Sequence, residues 1–199
     1  MNKPIIAVDI DDVLAAEAEF VVKFSNEQFG TRLMLEDYSE SWNIMWNVDR
    51  DEVERRAHIL HEPGIVTQYR IIPGGYETLK KLKETYEIIV VTSRRKRVEA
   101  ETARWLDEHF PDIFSRLVLT GFWDDPRRPD RHLLSKGSLL NDHRVAYVID
   151  DQPKHCLSAL DHGIEPILFG DYAESRNVVA PKGVIRCKDW QAVAEFFHA

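Results

Sequence analysis

The chain has 199 residues, of which 44% are hydrophobic and 30% charged, and it carries a net charge of −8. That length allows one domain with a true core, and the composition is that of an ordinary globular protein. The acidic balance argues against a nucleic-acid polymer as partner, and no run approaches the ~20 apolar residues of a membrane span.

The N-terminal "MNKPIIAV" has one lysine and an apolar run too short for a secretory signal, which points to a cytoplasmic protein. "PIIAVDI" (4–10) reads as a strand, and it runs straight into three carboxylates, Asp9, Asp11 and Asp12. Residues 16–72 then break any strand pattern. They hold two helical stretches, 17–30 and 50–64, each ending in glycine, with Trp42 and Trp46 four apart between them. A helical insertion directly after the first strand could cover the carboxyl ends of a sheet, where open α/β folds bind ligands.

From residue 73 strands and helices alternate. A helix is expected over 73–86, with Tyr76, Leu79, Leu82 and Tyr86 on one face, and a strand at "EIIVVTS" (87–93). Helix fits 97–109, strand 116–121 and strand 145–151. A helix over 153–163 opens at Pro153, turns Cys156, Leu157 and Leu160 inward and stops at Gly163. Strand 165–170 and helix 189–197 complete the pattern. The strands are near-continuous Val, Ile and Leu, as strands buried on both faces are, so the sheet is mostly parallel. Cys156 and Cys187 lack the spacing of a metal knuckle and read as reduced, buried side chains.

Polar residues collect at the strand ends: Asp9 and Asp11, Thr92 and Ser93, Thr120, and Asp150 and Asp151, with Lys136 ahead of the fourth strand. A parallel sheet brings all of these to one rim. Carboxylates about 4 Å apart repel by about 4 kcal/mol at an effective dielectric of 20, so they must spread, protonate or share a cation. An oxygen-only donor set favours Mg²⁺ over zinc. With a hydroxyl, strand-end amides and a lysine to hold phosphate oxygens, the set suits phosphoryl transfer. A response-regulator receiver domain has a similar inventory. It fails here because no acceptor aspartate stands between the first acidic cluster and Thr92, and a second acidic pair follows the lysine.

In this order the motifs resemble the haloacid dehalogenase (HAD) superfamily: "VDIDDVL" its D-x-D signature, "IIVVTS" its second motif, Lys136 its third and "VIDD" its fourth. The chain is most similar to the 5′(3′)-deoxyribonucleotidases, through "HEPGIVTQYRIIPGGYETLKKLKE" (61–84), "VVTSR", "LVLT" and a late "DW" (189–190). The resemblance implies an α/β fold with a three-layer Rossmann-like core over 1–15 and 73–199 and a small helical cap over 16–72. It implies an Mg²⁺-dependent phosphomonoesterase that passes through an aspartyl-phosphate, acting on a small phosphorylated substrate such as a (deoxy)nucleoside monophosphate. Asp9 would be the nucleophile and Asp11 the acid/base, with Thr92 and Lys136 on the transferring group. Ser93, Arg94, Trp42 and Trp46 would contact substrate, the two tryptophans through the base. Asp9, Asp11 (through its backbone carbonyl) and one or other of Asp150 and Asp151 would hold the metal. Two positions depart from the family pattern: Asp12 stands where glycine is common, and Thr102 stands near the place of a lysine that the "RRKR" run (94–97) could replace. A phosphatase for another phosphoester, or a silent binding protein on the same fold, are the alternative readings.

Overall fold

Five of the apolar runs form strands where their pattern puts them: β1 (Ile5–Val8), β2 (Glu87–Thr92), β3 (Arg116–Leu119), β4 (Val145–Asp150) and β5 (Glu165–Phe169). The computed structural model describes residues 3–125, 134–176 and 182–199. A further strand, β6 (Ile185–Cys187), was not expected; with only three residues and Arg186 exposed, it leaves no apolar run to read. The strand order is β3-β2-β1-β4-β5-β6, and every pairing is parallel.

The helices are α1 (Glu17–Phe29), α2 (Trp42–Trp46), α3 (Arg50–Leu60), α4 (Gly75–Leu82), α5 (Glu99–His109), α6 (Gly137–Asp142), α7 (Pro153–Asp161), α8 (Ala173–Arg176) and α9 (Trp190–Phe197). Alternation along the strands divides the core in two. Ile6, Val8, Ile88 and Val90 pack with Leu79 of α4, Trp105 of α5 and Trp190 of α9. Ala7, Ile89, Val91 and Val148 face the other way, against Leu140 of α6 and Ala159 of α7. The result is a three-layer α/β core. One expected facing is corrected: Leu157 of α7 is 39% exposed, while His155, Cys156 and Ala159 are buried. Residues 155, 156 and 159 share one stripe at helical spacing, and position 157 falls outside it.

Residues 16–72 leave the core between β1 and α4 and return beside their point of departure. The Ala16 amide donates to the Arg70 carbonyl (2.8 Å) and the Ile72 amide to the Leu14 carbonyl (2.7 Å). The segment has its own apolar cluster of Val21, Met45, Trp46, Val53 and Leu60. Gly30 ends α1 in the left-handed conformation, the stop its sequence announces. On the opposite side of the sheet, α6 and α7 approach so closely that a Cβ on Gly137 would collide with Ser158. That approach sets the preceding residue, Lys136, under the sheet rim. Among the described residues no helix is long and apolar enough to cross a membrane.

Candidate active site

The strand order reverses between β1 and β4, so the crevice where parallel sheets bind ligands opens above the ends of those two strands. The Asp9 amide donates to the Ile149 carbonyl (2.9 Å), which brings the exit of β1 against that of β4. Asp9, Asp150 and Asp151 consequently each offer a carboxylate oxygen within 4.8 Å of the others, and all three are buried.

Lys136, fully buried, stands among them. Its Nζ is 2.7 Å from Asp150 Oδ2 and 2.9 Å from Asp9 Oδ1. The contact with Asp150 is a hydrogen bond, and that with Asp9 is a close ion pair. Gln152 completes the set, with its amide on Asp150 Oδ1 (2.9 Å) and its Nε2 on Asp151 Oδ2 (2.6 Å).

One buried cation for three buried carboxylates leaves a surplus of negative charge. Burial pushes Asp9 up to about 7, with Asp150 and Asp11 adding to the rise against Lys136. Burial likewise pushes Asp151 well above the carboxylate range, with Asp150 next in effect. Burial acts on Asp150 too, but Lys136 and then His155 overcome it and hold that carboxyl low. Burial opposes the charge on Lys136, yet Asp150 and Asp9 raise its pKa above the usual lysine value. The three clustered, all-oxygen ligands and the surplus charge fit a hard divalent cation.

Asp11 does not join that cluster. Arg94 grips its carboxylate with Nη2 (2.6 Å) and Nε (3.0 and 3.1 Å). Arg94 itself is buried, donates to Thr102 Oγ1 (3.3 Å) and lies 5.2 Å over the Tyr69 ring. The first arginine of "RRKR" therefore extends its charge to Thr102. Thr92 is fully buried at the end of β2, its hydroxyl accepting from the Arg94 amide (3.2 Å). Ser93 lines the cavity above, and its Oγ is buried without a partner.

Asp12 caps α1. It is 4% exposed, lines the same cavity, and its carboxylate accepts from the Ala18 amide (3.0 Å) in the first turn of α1. Its φ is +55°, the left-handed region in which glycine is the unstrained residue. Burial pushes its carboxyl up to about 8.

The cavity measures about 590 Å³ and is roofed by the 16–72 segment. Trp42 lines it and stacks on His61 at 6.1 Å and 27°. Trp46 does not reach it. That side chain is 6% exposed in the core of the helical segment, donates to Ser25 Oγ (2.9 Å) and meets Phe29 edge-on. Its place among the substrate contacts is corrected: positions four apart share one helix face, so the two rings pack together (centroids 5.0 Å apart), and Trp42 lines the cavity while Trp46 sits against Ser25 and Phe29 of α1. Ion pairs Lys154–Glu40 (2.6 Å) and Arg95–Glu54 (3.0 Å) join the segment to the core at two sides of the cavity. Sequence reasoning missed Glu17, Tyr38, His61, Trp123 and His155, all of which line the cavity. None has a motif; Glu17 reads as an ordinary first-turn acid and His61 as a helix end. Residues 126–133, ahead of Lys136, lie outside the described residues.

Residues 3–128 match the sequence family described as 5′ nucleotidase, deoxy (pyrimidine), cytosolic type C protein. A 5′(3′)-deoxyribonucleotidase of Clostridium acetobutylicum is 27% identical over 113 residues, covering 57% of this chain and 62% of that one. The haloacid dehalogenase-like hydrolase SP0104 of Streptococcus pneumoniae superposes with a TM-score of 0.66 at 14% identity, covering 98% of each chain. The D,D-heptose 1,7-bisphosphate phosphatase of B. bronchiseptica, solved with magnesium and phosphate, gives a TM-score of 0.58 at 13% identity, covering 98% of each chain.

Proposed function

The chain belongs to the cytosolic type C family of 5′ nucleotidases, and from that membership we propose that it is an Mg²⁺-dependent phosphomonoesterase for (deoxy)nucleoside monophosphates, working through an aspartyl-phosphate on Asp9. The observation that carries the reading is the trio Asp9, Asp150 and Asp151 around Lys136, beneath a cavity that the 16–72 segment covers as a cap. Asp9, Asp150 and Asp151 would hold the ion, with the Asp11 backbone carbonyl beside them. When bound, Mg²⁺ neutralises phosphate charge and orients the phosphoryl group.

The chain's own groups supply the rest. Lys136 offsets charge at Asp9, and Thr92 and Ser93 offer hydroxyls to the transferring group. Asp9 attacks phosphorus and the ester P–O bond breaks. Asp11 gives the leaving oxygen its proton, then takes one from the water that hydrolyses the acyl phosphate and frees inorganic phosphate and Asp9. Arg94 aims the Asp11 carboxyl. Above them Trp42 offers a ring face to a base.

Phosphate release from a panel of nucleoside and sugar monophosphates, with Mg²⁺ and with EDTA, tests the proposal. Nucleotides should lead the panel, EDTA should abolish turnover, and Asp9→Asn should lower kcat by at least about a thousandfold. Substantial turnover by Asp9→Asn overturns the covalent mechanism, and a panel led by sugar phosphates overturns the substrate reading.

A further inference from the structure

The leaving-group side of the cavity contains a carboxyl that the mechanism above does not use. Glu17, the first residue of α1, lines the cavity. The Tyr38 hydroxyl donates to its Oε2 at 2.9 Å and is its hydrogen-bond donor among the described residues, which leaves Oε1 uncommitted. Asp12, the neighbour of Asp11 in the chain, accepts from the amide of Ala18, the residue after Glu17, and Asp11, Asp12 and Arg94 line the same cavity as Glu17. Glu17 therefore shares its cavity with the residue that serves the leaving oxygen.

An acid in the first turn of a helix ordinarily favours the helix dipole. That explanation is weak here, because the Asp12 carboxylate already accepts from the first turn of α1 through the Ala18 amide. A second acid next to Asp11 and Asp12 costs stability rather than adding it. Its orientation by Tyr38 and its open oxygen describe a group prepared for a ligand.

The geometry points to Glu17 as a specificity-determining residue that hydrogen-bonds, through Oε1, a hydroxyl on the leaving alcohol close to the scissile ester. The inference rests on the phosphomonoesterase reading above and adds to it the kind of alcohol preferred. A hydroxyl satisfies Glu17 in either protonation state, accepting from a carboxylic acid or donating to a carboxylate. In a nucleoside 5′-phosphate the sugar 3′-hydroxyl lies a few bonds from the ester. A substrate lacking it would leave a polar oxygen of the cavity unpaired, and such sites reject the stripped analogue.

The test compares kcat/KM for a 2′-deoxyribonucleoside 5′-monophosphate and its 2′,3′-dideoxy analogue, and for glycerol 1-phosphate and propyl phosphate. The wild type should favour the hydroxylated member by about 10- to 100-fold. Glu17→Leu should bring that ratio to within about threefold of one, Glu17→Gln should restore most of it, and Tyr38→Phe should narrow it, with thermal unfolding followed for each variant. If Glu17→Leu does not fold, the Tyr38→Phe and Glu17→Gln ratios decide. A ratio near one in the wild type, or one that Glu17→Leu and Tyr38→Phe leave intact, overturns the role of Glu17 while nucleotide turnover leaves the nucleotidase reading standing. If nucleotides are not hydrolysed but the glycerol and propyl phosphates show the Glu17-dependent ratio, the nucleotide reading fails and the role of Glu17 stands.

Discussion

Replacing Lys136 by methionine keeps the stem and removes the charge, and its cost follows from the burial of its partners. At an effective dielectric of 20, contacts of 2.7 and 2.9 Å with Asp150 and Asp9 are each worth about 6 kcal/mol of attraction before desolvation is subtracted. Three carboxylate oxygens within 4.8 Å repel by about 3.5 kcal/mol per ionised pair at that upper distance. Removing one partner of a buried ion pair costs about 3–5 kcal/mol, because the other charge stays buried. Lys136→Met should therefore lower stability in EDTA at about pH 8 by that amount, a fall in Tm of about 6–20 °C for a chain of this size. Two changes should reduce the loss. Lowering the pH to 6 is the first: without Lys136 the Asp9 carboxyl rises above the value of about 7 that it has beside the lysine, so it takes a proton readily and the repulsion falls. Excess Mg²⁺ supplies the missing cation and should raise the Tm of the variant more than that of the wild type. Differential scanning calorimetry of both proteins, at both pH values and with EDTA or Mg²⁺, reads all of these. A loss under about 1 kcal/mol in EDTA at pH 8, or equal Mg²⁺ stabilisation of the two proteins, would refute the claim that Lys136 holds the acidic trio together.

The two tryptophans should separate cleanly. Trp46→Ala opens a cavity in the core of the helical segment and should cost about 3–5 kcal/mol in urea denaturation. Trp42→Ala should cost less and act chiefly by raising KM for nucleotides, consistent with a stacking energy of about 1–3 kcal/mol; equal destabilisation by the two would rule out the division. Burial, with nearby Arg95, Arg97 and Arg94, lowers His61 from 6.5 to about 4 against its hydrogen bond to the Ala57 carbonyl. The unfolded chain thus takes up this proton first, so the contribution is present above pH 6.5 and is lost as pH falls through about 4. Between pH 6.5 and about pH 5 the loss is about 1–2 kcal/mol, which His61→Phe should remove from urea unfolding curves measured against pH; an unchanged slope would mean that His61 stays charged in the fold.

The apolar runs determined five strands and their parallel sheet, because strands buried on both faces need unbroken Val, Ile and Leu, and that pattern is local. The same locality made Asp9, Thr92, Lys136 and Asp150–Asp151 legible, since each sits at or just before the end of a readable strand and a parallel sheet gathers those ends at one rim. β6 escaped because three residues carry no period. What the tertiary structure alone decided is how the charges are shared. Lys136 divides itself between Asp9 and Asp150, Arg94 holds Asp11 apart from the acidic trio, and Asp12 turns through a positive φ to cap α1. Trp42 and Trp46 look alike in sequence, yet one lines the cavity and the other fills the core beside α1. Glu17 and Tyr38 are 21 residues apart and meet only because the segment folds back over the rim. Strand and helix periods come from nearest neighbours along the chain, whereas the partner of a buried charge is chosen among side chains that only packing brings within a few ångströms.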